Sequence, residues 1–394
     1  MRPTNALDLR LLETIGRHIE VGALEVELPD GGTRIYRGTR PGPRASVQLH
    51  DTKLLRRVVS LGAIGLADGY VAGDFDSPDL ATVVELGAIH LESDPGVVVP
   101  AGIERAGREI WRRLGRAAAP RGPLRDPIEH YNLGNRFFSL WLDPTMTYSS
   151  AVFARESMTL EEAQLEKYRR LAQATGLREG ERVLEIGCGW GGFAVAAAEL
   201  GCRVTAITVS KEQLDHVSKL VAERGVGDGV EPRLEDFRAT RGTFDRVVSI
   251  EMIESIPRTQ WPSYFDRLRD LTKPGGTIGL QVITVADRHW ATSNANPDFI
   301  RRYVFPGGQV PAPMVLRALA HRSELGWVED HGYGSSYART LNAWGRAFEE
   351  AEAEVAALGF GERFRRMWRY YLSYCEGGFR AGRADVRQIV LSRG

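Results

Sequence analysis

The residues best suited to chemistry lie in Val183-Leu184-Glu185-Ile186-Gly187-Cys188-Gly189-Trp190-Gly191-Gly192-Phe193, an apolar run that ends in a glycine-rich turn before an apolar helical segment. Glycines at 187 and 189 let the backbone turn tightly and approach a ligand closely. Turns of this kind serve dinucleotide and phosphate sites alike. The pattern here is GxGxGG, not the dinucleotide fingerprint GxGxxG, and there is no GK[ST] of a phosphate-binding P-loop. A second apolar run, Val204-Thr205-Ala206-Ile207-Thr208-Val209-Ser210, ends about 20 residues on, where a ribose-binding group is expected. It offers Thr208, Ser210 and, one turn later, Gln213, all neutral, where a dinucleotide site usually places an acid. A third run leads to Asp236-Phe237, an acid able to accept from an adenine amino group beside a ring able to cover the base. Taken alone, Asp236 would be a helix cap or a surface acid.

These groups need a scaffold. RVLEIGCG, RVTAITVS, DRVVSIEM and GTIGLQVITV read as strands, separated by helix-like segments such as GGFAVAAAEL and KEQLDHVSKLVAER. That alternation predicts βαβ units and a mostly parallel sheet, with ligands at the carboxyl ends of its strands. VRQIVLSR makes a last strand. Before this region, LEVELPDGG and TRIYRG predict two strands around Asp30-Gly31-Gly32, and Ser77-Pro78-Asp79 predicts a helix start. The expected organisation is an N-terminal α+β accessory domain over 1–115, a candidate lipid-binding domain. A proline-rich linker over 116–127 and a catalytic domain over 128–394 follow it.

Composition narrows the class. The chain has 394 residues with 51 Lys+Arg against 51 Asp+Glu, and 43% of it is hydrophobic, an ordinary globular balance. Zero net charge argues against general nucleic-acid binding, which leans on surplus Lys and Arg. Cys188, Cys202 and Cys375 form neither a disulfide framework nor a metal-ligand spacing. Apolar stretches are strand-length, and MRPTNALDLR lacks a signal-peptide core, so a cytoplasmic protein is expected. Two basic amphipathic segments stand out. In one, Ile103, Ala106, Gly107, Ile110 and Leu114 share a helical face flanked by Arg105, Arg108, Arg112, Arg113 and Arg116. In the other, Phe364, Met367, Trp368 and Tyr371 share a face while Arg363, Arg365, Arg366 and Arg369 line another. Such helices can lie on an anionic membrane surface; the plainer reading is a helix docked on its neighbour.

FDRVVSIEM resembles the fourth strand of class I methyltransferases and LTKPGGTIGLQ their fifth. With the glycine turn, the neutral second-strand end and Asp236, the segments resemble an S-adenosylmethionine site. The expected fold is therefore the class I S-adenosylmethionine-dependent methyltransferase fold, α/β and Rossmann-like, with a seven-stranded, mostly parallel sheet and the smaller α+β domain before it.

His130-Tyr131-Asn132-Leu133-Gly134-Asn135, LWLDPTMTYSSAVF, EIGCGWGGFA, Glu251-Met252-Ile253-Glu254, IRRYVFPGG and RMWRYYLSYCEGGFR together resemble the cyclopropane-fatty-acyl-phospholipid synthases and their mycolic-acid relatives. The resemblance is strong over about 128–394. It implies methyl transfer from S-adenosylmethionine to a cis double bond of a phospholipid acyl chain, through a carbocation. It implies cofactor contacts at Tyr131, Tyr148, Ser149, Gly187, Gly189, Thr208, Gln213 and Asp236, and no metal. It also implies a bicarbonate base held by Cys, Glu, His and Tyr positions. The Glu matches Glu254 and the Tyr matches Tyr337; the Cys position falls on Ser150, which can present its backbone amide. The His position falls on Ile283 or nearby in Gln281-Val282-Ile283-Thr284, where Gln281 is the candidate to compensate. The LQVIT variant and NPDFIRRYVFPGG also resemble the branch that makes methyl-branched, tuberculostearic-type fatty acids through a methylene product. Cyclopropane formation is the expected outcome and the methylene its alternative. A small-molecule methyltransferase and a catalytically inactive lipid-binding protein are the rival readings. Peripheral membrane association and a homodimer are further expectations from the resemblance.

Overall fold

The computed structural model of this chain describes residues 6–93, 133–295 and 298–394. The basic segment at 103–116, the linker at 116–127 and Tyr131 lie outside the described residues. The chain divides into two compact units.

Described residues 6–93, 298–304 and 348–383 belong to the first. Strands β1 (Val21–Glu27) and β2 (Thr33–Arg37) form the expected hairpin, pairing Glu27 with Thr33. Its turn is closed by the Asp30 carboxylate, which accepts from the Gly32 amide at 2.9 Å. β3 (Arg40–Leu49) lies parallel to β1, and β4 (Phe75–Asp76) completes a sheet of order β2-β1-β3-β4. The helix Leu80–Ser93 begins at Asp79, whose carboxylate accepts from the Thr82 amide at 3.0 Å and the Thr82 hydroxyl at 2.6 Å.

The domain expected over 128–394 is thus interrupted, because the helix Glu362–Arg380 packs in the first unit. Gly377 makes that packing possible: a Cβ there would stand 2.6 Å from the Ala81 carbonyl oxygen. Met367, Trp368 and Tyr371 are buried, as the apolar face requires. The arginines of the other face have been claimed. Arg366 donates to the carbonyls of Tyr70 (2.6 Å) and Phe75 (2.9 Å) and to Asp76 (2.8 Å), while Arg365 and Arg369 both pair with Glu352. Arg363 is exposed. This helix is a docked one, and its guanidiniums are not a free basic face.

The second unit holds described residues 133–295, 305–347 and 384–394. Its sheet contains β5 (Arg182–Ile186), β6 (Arg203–Thr208), β7 (Val230–Leu234), β8 (Phe244–Ile250), β9 (Thr272–Val285), β10 (Leu325–Gly332) and β11 (Ala384–Arg393). The order is β10-β11-β9-β8-β5-β6-β7, with β5 to β9 parallel and β11 antiparallel to both β9 and β10. The last strand of the sequence therefore fills an interior place. Alternation feeds two cores. Leu184, Ile186, Val247, Ile278 and Leu280 pack with Trp261, Phe265 and Leu268 on one face. On the other, Val183, Val204, Ala206 and Val248 pack with Leu171, Phe193, Ala194 and Val217. At roughly 1.5–3 kcal/mol per fully buried large apolar side chain, these two layers fix the register of every central strand. What they leave outside the core is the row of loops at the carboxyl ends of β5, β6, β8 and β9.

Candidate active site

The glycine turn follows β5 as expected. Gly187 and Gly189 have φ of 78° and 52°, in the left-handed region that favours glycine. A Cβ on Gly189 would meet open space, so the turn leaves room for a ligand against its backbone; one on Gly187 would come 3.1 Å from the Met252 sulfur. At the end of β6 the buried Thr208 hydroxyl donates to Gln213 Oε1 at 2.7 Å. Ser210 caps the following helix, Lys211–Glu223, by accepting from the Gln213 amide at 3.3 Å. Asp236 departs from the simple expectation of a waiting acceptor. Its carboxylate is bonded by Arg238 through Nε (2.9 Å) and Nη2 (2.6 Å), which holds it below the usual carboxylate range. Asn135 joins these loops: its Oδ1 accepts from the Trp190 indole at 2.8 Å, and its amide donates to the Glu212 carbonyl at 3.3 Å.

The Thr147–Ser150 loop is fixed from beneath by the helix Leu160–Thr175. That helix starts with a capping box, Thr159 Oγ1 accepting from the Glu162 amide and Glu162 accepting from the Thr159 amide. Gln164, Lys167 and Tyr168 then share one buried face at i, i+3 and i+4. Gln164 donates to the Ser149 carbonyl (2.9 Å), Lys167 Nζ to the Ser149 hydroxyl (2.7 Å), and Thr147 shares a 2.8 Å bond with the Tyr168 hydroxyl. Burial lowers the Lys167 ammonium to about 7, against the carboxylates of Glu251, Asp143 and Glu185, which raise it. Sequence reasoning missed Gln164 and Lys167. Their signal was present: polar residues at helical spacing inside an otherwise apolar face.

Tyr148 stands among aromatic rings, with centroids 5.3 Å from Phe138, 5.5 Å from Trp141 and 5.3 Å from Trp344. Trp344 in turn lies 6.2 Å from Tyr337. Tyr337 sits in the first turn of the helix Gly334–Glu350.

Past β8 lie two carboxyl groups. Glu251 has φ of 48°, a strained conformation for a side chain that is not glycine. Its Oε1 accepts from the Ser150 amide and from Gln281 Nε2, both at 2.8 Å, and its Oε2 accepts from the Tyr337 hydroxyl at 3.0 Å. Gln281 also donates to the Ser150 carbonyl (3.0 Å) and is oriented by Gln388, which donates to its Oε1 at 3.0 Å. Burial raises the Glu251 carboxyl, while Lys167 and the three donors oppose that shift. Glu254 Oε1 accepts from the Ile283 amide at 2.5 Å, and its Oε2 has no partner among the described residues. Burial first and the Glu251 charge second push Glu254 up to about 8.

Of the four residues expected around an anion, Ser150, Gln281 and Tyr337 therefore converge on Glu251, a residue not singled out as a site residue in advance. Ile283, expected at the histidine position, contributes its backbone amide to Glu254. Gln281 supplies the donor instead, since residues two apart on a strand share a face.

The fold and the turn at β5 define a class I methyltransferase-type α/β protein. In keeping with this, cyclopropane synthase MmaA2 from Mycobacterium tuberculosis matches with a TM-score of 0.63 at 32% identity, covering 68% of this chain and 99% of that one. Mycolic acid cyclopropane synthase CmaA1 complexed with SAH and CTAB matches with the same TM-score at 30% identity, over 68% and 99% of the two chains. Residues 121–389 match the sequence model described as mycolic acid cyclopropane synthetase, and the chain belongs to that family. It is 36% identical over 375 residues to tuberculostearic acid methyltransferase UfaA1 of Mycobacterium tuberculosis, across 90% of this chain and 86% of that one. Against cyclopropane-fatty-acyl-phospholipid synthase of Escherichia coli it is 34% identical over 357 residues, across 89% and 88%.

Proposed function

We propose that this chain transfers a methyl group from S-adenosylmethionine to the cis double bond of an unsaturated phospholipid acyl chain. The observation that carries the proposal is the half-buried acid pair Glu251 and Glu254 past β8, with Tyr337 bonded to Glu251 and packed beside the aromatic cluster of Phe138, Trp141, Tyr148 and Trp344. An apolar wall suits an acyl chain, and acid groups suit a reaction that must shed a proton. The residues fit the cofactor: no atom stands within 4 Å of where a Gly189 Cβ would be, so a ligand can approach that backbone, and the buried Thr208–Gln213 pair supplies neutral polar groups at the end of β6. Tyr148, Ser149, Gly187, Gly189, Thr208, Gln213 and Asp236 would hold it, Asp236 after exchanging the exposed Arg238 for the cofactor. S-adenosylmethionine supplies an already activated methyl, so the protein's task is to hold the acceptor in line with it. The aromatic wall orients the chain and excludes water. Losing the proton from the new methyl closes a cyclopropane. A second reading, a methylene product, is favoured by one observation: where the resemblance expects an imidazole, at Ile283 or nearby, the donor present is the Gln281 side chain, so the groups around the proton acceptor differ.

The acceptor bond lies within a bilayer, so the same proposal includes attachment to the membrane surface. No helix among the described residues is long and apolar enough to cross a membrane. Incubation with dioleoyl phospholipid vesicles and S-adenosylmethionine should add one CH₂ to the released fatty acid. Proton NMR then separates upfield cyclopropane signals from vinylidene signals. Absence of any added CH₂ would sink the proposal.

A further inference from the structure

A carbocation formed on an acyl chain is quenched by losing a proton, and a base must stand at the site to accept it. The resemblance implies a dissolved bicarbonate in that role. The site does not fit one. The donors that would hold an anion are the Ser150 amide, the Gln281 amide group and the Tyr337 hydroxyl, and all three are bonded to the carboxylate of Glu251 at 2.8–3.0 Å.

We propose that Glu251 is the proton acceptor of this enzyme, a carboxylate carried by the chain itself in place of a bound bicarbonate. The inference rests on the methyl-transfer reading and goes beyond it. Geometry distinguishes the two acids. Three donors and the Lys167 charge oppose the rise that burial imposes on Glu251, whereas at Glu254 burial and the Glu251 charge prevail over the backbone amides that bond it and push its carboxyl up to about 8. Of Glu251's two oxygens, Oε1 has two donors and Oε2 has one, so an acceptor position stays open on Oε2. The left-handed backbone at 251 is consistent with a fixed purpose, because a non-glycine residue is held there only when its surroundings over-determine it.

The step balances. A C–H bond of the cation breaks, and its electron pair forms either the third carbon–carbon bond of the ring or a new π bond. The proton ends on Glu251 Oε2. It returns to water once product has left, restoring the carboxylate.

The test uses the full chain, with Glu251→Gln to remove the base while keeping its shape. Glu251→Gly removes the side chain at a φ that glycine adopts freely, so that variant should fold. Binding of ¹³C-bicarbonate, read by NMR line broadening, and of S-adenosylhomocysteine, read by calorimetry, is measured beside product formation. The wild type should bind no bicarbonate and turn over equally in carbon dioxide-free buffer. E251Q should lose at least about a hundredfold in rate with S-adenosylhomocysteine affinity unchanged. E251G should acquire both bicarbonate binding and a bicarbonate-dependent rate. Bicarbonate binding by the wild type, a wild-type rate that falls without it, or full activity in E251Q would each overturn the assignment. A wild type that makes no product from any lipid defeats the methyl-transfer reading instead; the NMR titration of wild type and E251G then still decides whether Glu251 fills the anion position.

Discussion

Glu254 carries one oxygen with a donor and one without, in a place where burial and the charge of Glu251 push its carboxyl up to about 8. An ordinary glutamate ionises near 4.5, so between about pH 4.5 and 8 the folded state binds a proton that the unfolded state has released. Stability on this account is full below the lower value and is lost as pH rises through the upper one. Glu254→Gln never ionises. It should match the wild type near pH 5 and exceed it near pH 9 by a few kcal/mol, each tenfold change in proton affinity being worth about 1.4 kcal/mol. Urea unfolding at the two pH values measures this, and a gap that does not widen with pH would reject the buried-acid account. Glu254 was legible from its motif. Glu251, three residues earlier in the same motif, was not, because only the folded chain brings the Ser150 amide, Gln281 and Tyr337 around it.

At the scale of elements, the helix Leu160–Thr175 sets the Thr147–Ser150 loop, and its buried polar face is the means. Gln164 is fully buried and donates to the Ser149 carbonyl at 2.9 Å. Gln164→Ala leaves that carbonyl without a partner in a place water does not reach. The expected cost is about 1–3 kcal/mol of stability, together with weaker cofactor binding through the displaced Ser149. Equilibrium unfolding and S-adenosylhomocysteine calorimetry check the two effects; a variant as stable as the wild type would show that the loop is held by other means. Strands β5, β6, β8, β9 and β11 were legible because each is an apolar run bounded by turn residues, whereas β10, LGWVEDHG, is mostly polar and carried no such pattern. The order β10-β11-β9 was not, since nothing local in VRQIVLSR tells whether it ends as an edge or an interior strand.

At the scale of the whole molecule, the helix Glu362–Arg380 returns to the N-terminal unit, and Arg366 satisfies two carbonyls and a carboxylate there. Arg366→Ala should lower stability by about 2–4 kcal/mol, through acceptors left bare, and leave sedimentation with anionic vesicles unchanged. A drop in vesicle binding without loss of stability would restore the membrane reading of this helix. Its amphipathic pattern alone could not choose between lipid and protein, because both present an apolar surface beside polar partners.

The sequence by itself determined the alternating β and α elements, the glycine turn at 187–191, the neutral end of β6 and the family. These rest on local backbone geometry and on patterns that neighbouring residues write together. The tertiary structure alone decided that each of the two units is assembled from three separate stretches of chain. It also decided that Glu251 takes the donors expected for an external anion. Each of these depends on groups far apart in sequence, such as residues 150, 251, 281 and 337, whose encounter is fixed only once both faces of the sheet are buried.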